Sequence, residues 1–313
     1  MTTLPITFGT RASFVRAFAQ KPAPLVLCLA IVLGGSATLG AIVVAAAGMR
    51  LEPAGFGRFV VLAAMMGGLA FWCWKRGLNR RLGAAAAIVG AATLSLMICG
   101  VIANAGLRLG TPLVDPRLAA ADAALGFDSG EIIRAVAARP ALTQLLSVLY
   151  NSSGVAVVAL IGWALVRQTV AKAWELATTA IVAMQLVALA SPTFPALGAM
   201  HHFALESLQG HGLPPGAGVY QWAAFEHFHR GGDNLLRLSD MGGVVAFPSF
   251  HTVLALLITQ ALAGTRWRLP ATLWTAGIIL AAIPMGGHYV IDLAAGFAVW
   301  LAAASIAKGV TDQ

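Results

Sequence analysis

Long apolar runs separated by short polar stretches set the pattern of this chain. Eight runs, at 24–48, 57–74, 82–106, 142–166, 174–198, 250–265, 270–285 and 287–307, have the look of helices that cross a membrane. A spanning helix takes about 20 mainly apolar residues. The first run follows Arg11, Arg16 and Lys21 and ends in AIVVAAAG, the outline of a signal peptide. A signal core is only roughly 7 to 15 residues long, so the longer run here predicts a retained helix. Small residues fill many of the runs, and close packing between helices in lipid favours them.

The polar connections divide by charge. If the N-terminus lies in the cytoplasm, one face collects Arg11, Arg16, Lys21, Lys75, Arg76, Arg80, Arg81, Arg167, Lys172, Arg266, Arg268 and Lys308, all in or beside short loops. Basic short loops mark the cytoplasmic side. Both termini are then expected there, in a multi-pass protein of a bacterial inner membrane. Short loops and the lack of a eukaryotic targeting signal point to that membrane. The opposite face holds two long segments, 107–141 and 199–249, with Glu52, Asp115, Asp122, Asp128, Glu131, Glu206, Glu226, Asp233 and Asp240. Within the first, SGEIIRAVAARP predicts a short surface helix capped by Ser129 and ending near Arg139. Within the second, aromatics recur at helical spacing in VYQWAAFEHFHRGG and predict an interfacial helix stopped by Gly231 and Gly232.

Composition narrows the classes. Apolar residue types make up 59% of 313 residues and charged ones 10%, against roughly 25% charged in soluble domains. A soluble enzyme is excluded, because its surface needs more charge than this. The net charge of +8 does not signal a nucleic-acid partner, since the basic residues form no stripe interleaved with aromatics. Cys28, Cys73 and Cys99 sit in apolar runs without metal-type spacing. The expected architecture is all-α: a polytopic bundle of about eight transmembrane helices, with residues 1–141 as N-terminal helices and outer loop and 142–313 as a catalytic membrane domain.

Two segments carry chemistry. In VVAFPSFHTVLALL, Pro248, Ser249 and His251 stand where an outer loop enters a helix. Ser249 is placed to cap that helix, leaving His251 in a first turn whose free N–H groups favour an anion such as phosphate. In AAIPMGGHYVIDLAAG, His288 and Asp292 lie four residues apart, so on a helix the carboxylate can hold one imidazole nitrogen while the other faces a substrate. Gly286 and Gly287 permit close backbone approach. An ionisable residue such as Asp292 inside a spanning segment is itself a pointer to function. Both histidines begin helices running inward from the outer face, so they can converge. Tyr289 reads as an interfacial anchor. His227 and His229, with His201, His202 and Glu226, could form a metal cluster, but a polar helix face is the simpler reading, and no metal or other cofactor is expected. Arg139 before Pro140 reads as a helix-end charge.

PSFH followed by HYVID resembles the second and third motifs, Pro-Ser-x-His and His-x-x-x-Asp, of the type 2 phosphatidic acid phosphatase (PAP2) superfamily. The form HYxxDxxAG, with the earlier DAALGFD, is more similar to the inositol phosphorylceramide synthase branch. The resemblance implies a PAP2-like core, a lipid phosphate or phospholipid as substrate, and a phosphohistidine mechanism. His288 would attack phosphorus, Asp292 would orient it, His251 would protonate the leaving oxygen and Ser249 would bind a phosphate oxygen. The Lys-x6-Arg-Pro first motif is absent, with Ile132 in place of its lysine, and Ala281 and Ala282 replace a Ser-Arg pair. Phosphoryl-transfer sites rely on cationic clamps. Their loss favours a phosphodiester donor and transfer of a phospho-head group between lipids, with Arg134, Arg139, Arg230 and Arg237 as candidate substitutes. The alternative is hydrolysis of a lipid phosphomonoester or diphosphate. A transporter or scaffold requires polar residues deep in several helices, and the helix interiors here are almost uncharged.

Overall fold

The computed structural model describes residues 23–311. Among these residues twelve α-helices follow one another: α1 (Ala23–Ala46), α2 (Pro53–Lys75), α3 (Arg80–Leu107), α4 (Asp115–Ala124), α5 (Ser129–Ala137), α6 (Pro140–Arg167), α7 (Val170–Ala190), α8 (Ala199–His202), α9 (Trp222–His229), α10 (Phe250–Leu262), α11 (Arg268–Gly286) and α12 (Val290–Thr311). Two short strands, β1 (Arg50–Leu51) and β2 (Leu235–Leu236), pair in parallel. Arg11, Arg16 and Lys21, part of the orientation argument, lie outside the described residues.

Among the described residues seven helices, α1, α2, α3, α6, α7, α11 and α12, are long and apolar enough to cross a membrane, which makes this an integral membrane protein. Local sequence starts and stops them. The Asn79 side chain accepts from the Arg81 and Leu82 amides at the start of α3, Thr169 caps α7, and Pro140 opens α6 where no N–H is needed. The bundle is built around α7, whose Trp174, Leu176, Ala177, Ile181 and Val182 are buried against α3, α10 and α12. Its outer surface is apolar too, with Ile31, Val155, Val158, Leu269 and Leu273 exposed, as expected where lipid is the solvent. Leu25, Leu29 and Leu33 place the edge of α1 in the same core, so that helix packs as a member of the bundle.

One expected span is shorter than its apolar run. α10 has 13 residues, which at 1.5 Å each covers about 20 Å. Apolar composition reports burial, not helix length, and the preceding segment 241–249 is apolar without being helical. Irregular backbone at membrane depth is tolerated when protein surrounds it. Here Asn104 of α3, fully buried, donates to the Gly242 carbonyl (3.2 Å) and accepts from its amide (3.3 Å), while Val244 and Ala246 are buried.

The two long segments cover one end of the bundle. Strand β2 ties the second of them to the α1–α2 turn, and Arg108 at the end of α3 donates to the carbonyls of Gly232 and Asp233 and to the Asn234 side chain. The surface helix of the first segment is α5, but its cap is Asp128, which accepts from Glu131 N–H at 2.9 Å. Ser129 is instead the first helical residue, and its hydroxyl donates to Asp122 at 2.5 Å. Arg139 donates to the Ala135 carbonyl in the last turn of α5, the helix-end role expected of it. The aromatic helix is α9, with Phe225 and Phe228 buried against α3, so its apolar face is covered by protein.

Candidate active site

The site grows from the junction of α11 and α12. Gly287 takes φ +71° and ends α11, and its carbonyl accepts from Ala199 N–H at 2.7 Å. A Cβ on Gly287 would stand 2.8 Å from the Gly218 carbonyl, and one on Gly198 would stand 2.6 Å from the Gly287 carbonyl. These glycines thus serve backbone-to-backbone packing rather than approach to a ligand. They press the outer loops onto the residue that follows, His288.

His288 precedes α12 instead of lying in it, yet the expected pair with Asp292 forms. Its Nδ1 is 3.2 Å from Asp292 Oδ2, with the two residues 3% and 0% exposed. The same Oδ2 accepts from Tyr289 N–H at 2.9 Å, while Oδ1 has no partner. The imidazole is therefore the only side chain, among the described residues, that compensates this buried carboxylate. With Nδ1–H directed at Asp292, the lone pair sits on Nε2, the ring nitrogen that the carboxylate does not hold.

His251 and His288 have ring centroids 6.2 Å apart at 61°. Backbone contact links their elements: Ser249 N–H donates to the Asp292 carbonyl at 3.1 Å. That approach needs a glycine at 296, where a Cβ would stand 2.4 Å from the Ser249 carbonyl oxygen. Ser249 is buried and caps α10 by accepting from Thr252 N–H at 3.4 Å. All four residues singled out in the sequence, Ser249, His251, His288 and Asp292, thus meet at one place.

Two carboxylates hold this place together: Asp122, from the DAALGFD stretch, and Asp115, which the sequence places only among the acids of the outer face. Asp122 accepts from the amides of Val290 (2.9 Å) and Ile291 (2.8 Å), and Asp115 accepts from Leu197 N–H (3.0 Å), Gly198 N–H (2.7 Å) and the Tyr289 hydroxyl (3.0 Å). Asp122, Asp115 and Asp292 thus occupy the donors around the first turn of α12, where carboxylates also meet the positive end of the helix dipole. Tyr289, read as an interfacial anchor, is fully buried. Burial, and then Asp115 beside it, hold its phenol well above the ordinary range, so it remains a donor. Tyr289→Phe removes one hydrogen bond to a buried carboxylate and is expected to lower stability by about 2 kcal/mol. Unfolding in detergent should show that loss with activity largely kept; full stability with lost activity would instead put the phenol in the chemistry.

A model of the PAP2 superfamily matches residues 116–306. The chain belongs to the PAP2 superfamily. No curated protein and no solved structure matches it. As a PAP2 protein it is a phosphatase or phosphotransferase of the lipid-enzyme kind. The PAP2 match begins within α4, so it takes in Asp122 along with both histidine segments.

The candidate clamp residues are engaged elsewhere. Arg134 pairs with Glu131 (2.8 Å), Arg230 with Glu226 (3.2 Å) and Arg237 with Asp233 (2.6 Å) and Asp240 (3.3 Å). Arg237 in turn holds the Asp233 carboxyl below its ordinary value. The histidines of the outer loops disperse onto aromatics: His229 stacks on Phe225 at 5.5 Å, and His201 meets Trp222 edge-on at the same distance. Among the described residues, no three His, Cys, Asp or Glu side chains gather as metal ligands do.

Proposed function

We propose that the protein transfers a phosphoryl or phospho-head group between lipids through a phosphohistidine on His288. The observation that carries this reading is the buried Asp292–His288 pair, which engages Nδ1 and leaves Nε2 without a partner, with the His251 ring 6.2 Å away. The Nε2 lone pair attacks phosphorus, the bond to the leaving oxygen breaks, and His251 gives that oxygen its proton. The acceptor hydroxyl then attacks phosphorus, the N–P bond breaks, and His251 takes the proton back. Ser249 supplies its hydroxyl to a phosphate oxygen. The site draws on both sides of the division at residue 141, because Asp115 and Asp122 come from the first part.

Choice of donor follows from charge. A phosphomonoester dianion needs more positive charge around it than a phosphodiester monoanion, and the four candidate arginines, Arg134, Arg139, Arg230 and Arg237, are spent on acids or a helix end. That supports an inositolphosphotransferase-like exchange, with an alcohol-bearing lipid as acceptor. Basic residues at the end opposite the site, Lys75, Arg76, Arg80, Arg81, Arg167, Lys172, Arg266 and Arg268, support a cytoplasmic location for that end and an extracytoplasmic site in a bacterial inner membrane.

The test incubates the full chain in liposomes with labelled phosphatidylinositol plus ceramide or diacylglycerol, and separately with phosphatidic acid. A new phospholipid that requires His288 is expected. Release of free phosphate from phosphatidic acid alone would make the protein a lipid phosphatase and overturn the argument from the spent arginines.

A further inference from the structure

The phosphohistidine reading leaves a gap: Ser249 serves one phosphoryl oxygen from the α10 side, but on the His288 side the donors at the start of α12 are taken. Asp122 and Asp292 occupy the amides of Tyr289, Val290 and Ile291 at the start of α12. The candidate arginines are engaged elsewhere. One polar group beside His288 has no task in the mechanism so far. Tyr150 of α6 is buried, and its ring stacks on His251 with centroids 3.9 Å apart and 20° between the planes.

The position of its hydroxyl is fixed by Gly286. A Cβ on that glycine would lie 2.9 Å from Tyr150 Oη and 3.1 Å from His288 Nε2. The phenol oxygen and the nucleophilic nitrogen therefore flank one small space, kept open because residue 286 has no side chain. Behind Tyr150, its hydroxyl lies 3.4 Å from that of Tyr220, which is half exposed and reaches the outer loops.

We propose that the Tyr150 hydroxyl binds the phosphoryl group at His288 Nε2, with Tyr220 donating to Tyr150 so that the proton of Tyr150 is directed at a phosphoryl oxygen. This rests on the phosphohistidine reading and supplies the donor that its missing basic clamp would have given. A phenol adds a hydrogen bond without adding charge, which suits a phosphodiester donor. A donor that strengthens its bond as charge spreads in the transition state accelerates the reaction, whereas one that binds substrate equally well does not.

Tyr150→Phe keeps the ring on His251 and removes only the hydroxyl. With the lipid donor that wild type turns over, this variant should lose about 10- to 100-fold in kcat/KM. Inhibition by orthovanadate, which mimics the five-coordinate phosphorus, should weaken by a similar factor. Tyr220→Phe should weaken both about 3- to 10-fold. Wild-type kcat/KM and vanadate affinity in Tyr150→Phe would overturn the proposal. So would a loss of rate with vanadate affinity unchanged, since the phenol would then act only through the His251 stack. If Tyr150→Phe does not fold, Tyr220→Phe decides, and unchanged vanadate affinity there counts against the proposal. His288→Ala runs alongside: activity surviving in it would remove the phosphohistidine reading itself, whereas a dead His288→Ala beside a normal Tyr150→Phe removes only the role of the phenol.

Discussion

Replacing His288 is expected to remove phosphoryl transfer, by about 10⁴-fold or more, because the group that forms the covalent bond is gone and nothing nearby replaces it. His288→Ala alone leaves the buried Asp292 carboxylate without its imidazole, and stripping one partner from a buried pair costs stability. His288→Asn addresses that concern. Its side-chain amide offers an N–H near the position of Nδ1, so Asp292 Oδ2 keeps a donor besides Tyr289 N–H. Nothing then stands at Nε2. Both variants should be inactive, and His288→Asn should elute and unfold like wild type. With a donor labelled on phosphorus, wild type should carry acid-labile, base-stable label of the kind a phosphoramidate gives, and neither variant should. Transfer by a well-folded His288→Asn would exclude the covalent mechanism.

The parts of this site written in contiguous residues were legible in the sequence. PSFH supplies a cap and a histidine within one turn, and HYVID supplies an imidazole with a carboxylate in reach, so local spacing was enough. The scaffold behind them was not legible. Asp122 binds the amides of Val290 and Ile291, and Asp115 binds those of Leu197 and Gly198. A backbone N–H carries no side-chain signature, so nothing distant in the sequence announces such a partner. The available signal was the pair of acids at Asp115 and Asp122 in an acid-poor chain, with DAALGFD noticed only as a likeness. Tyr289 misled for a related reason: an aromatic at a helix start is a common interfacial anchor, and its burial depends on Asp115 from a different helix. Spans followed well from apolar length except at α10, where buried irregular backbone shares the composition of a helix. Tyr150 gave no signal at all, because its importance lies in a space defined by Gly286 and His288.

Asp292→Asn separates charge from shape. The side chain is fully buried, so an isosteric amide fits, and an oxygen at the Oδ2 position still accepts from Tyr289 N–H and from His288 Nδ1–H. What disappears is the negative charge. As Nε2 bonds to phosphorus the imidazole becomes cationic, and in a buried site that charge is stabilised mainly by the carboxylate on its far nitrogen. The rate should therefore fall about 10²- to 10⁴-fold with stability little changed, as expected when a buried acid is the partner of a catalytic histidine. Asp122→Asn makes the useful contrast. Asp122 accepts from two α12 amides and the Ser129 hydroxyl and makes no hydrogen bond to the His288 ring. Its replacement should reduce stability more than rate. If Asp292→Asn instead keeps its rate within about 3-fold and loses stability as Asp122→Asn does, Asp292 is a helix-capping acid like its neighbour, and the imidazole acts without an anionic partner.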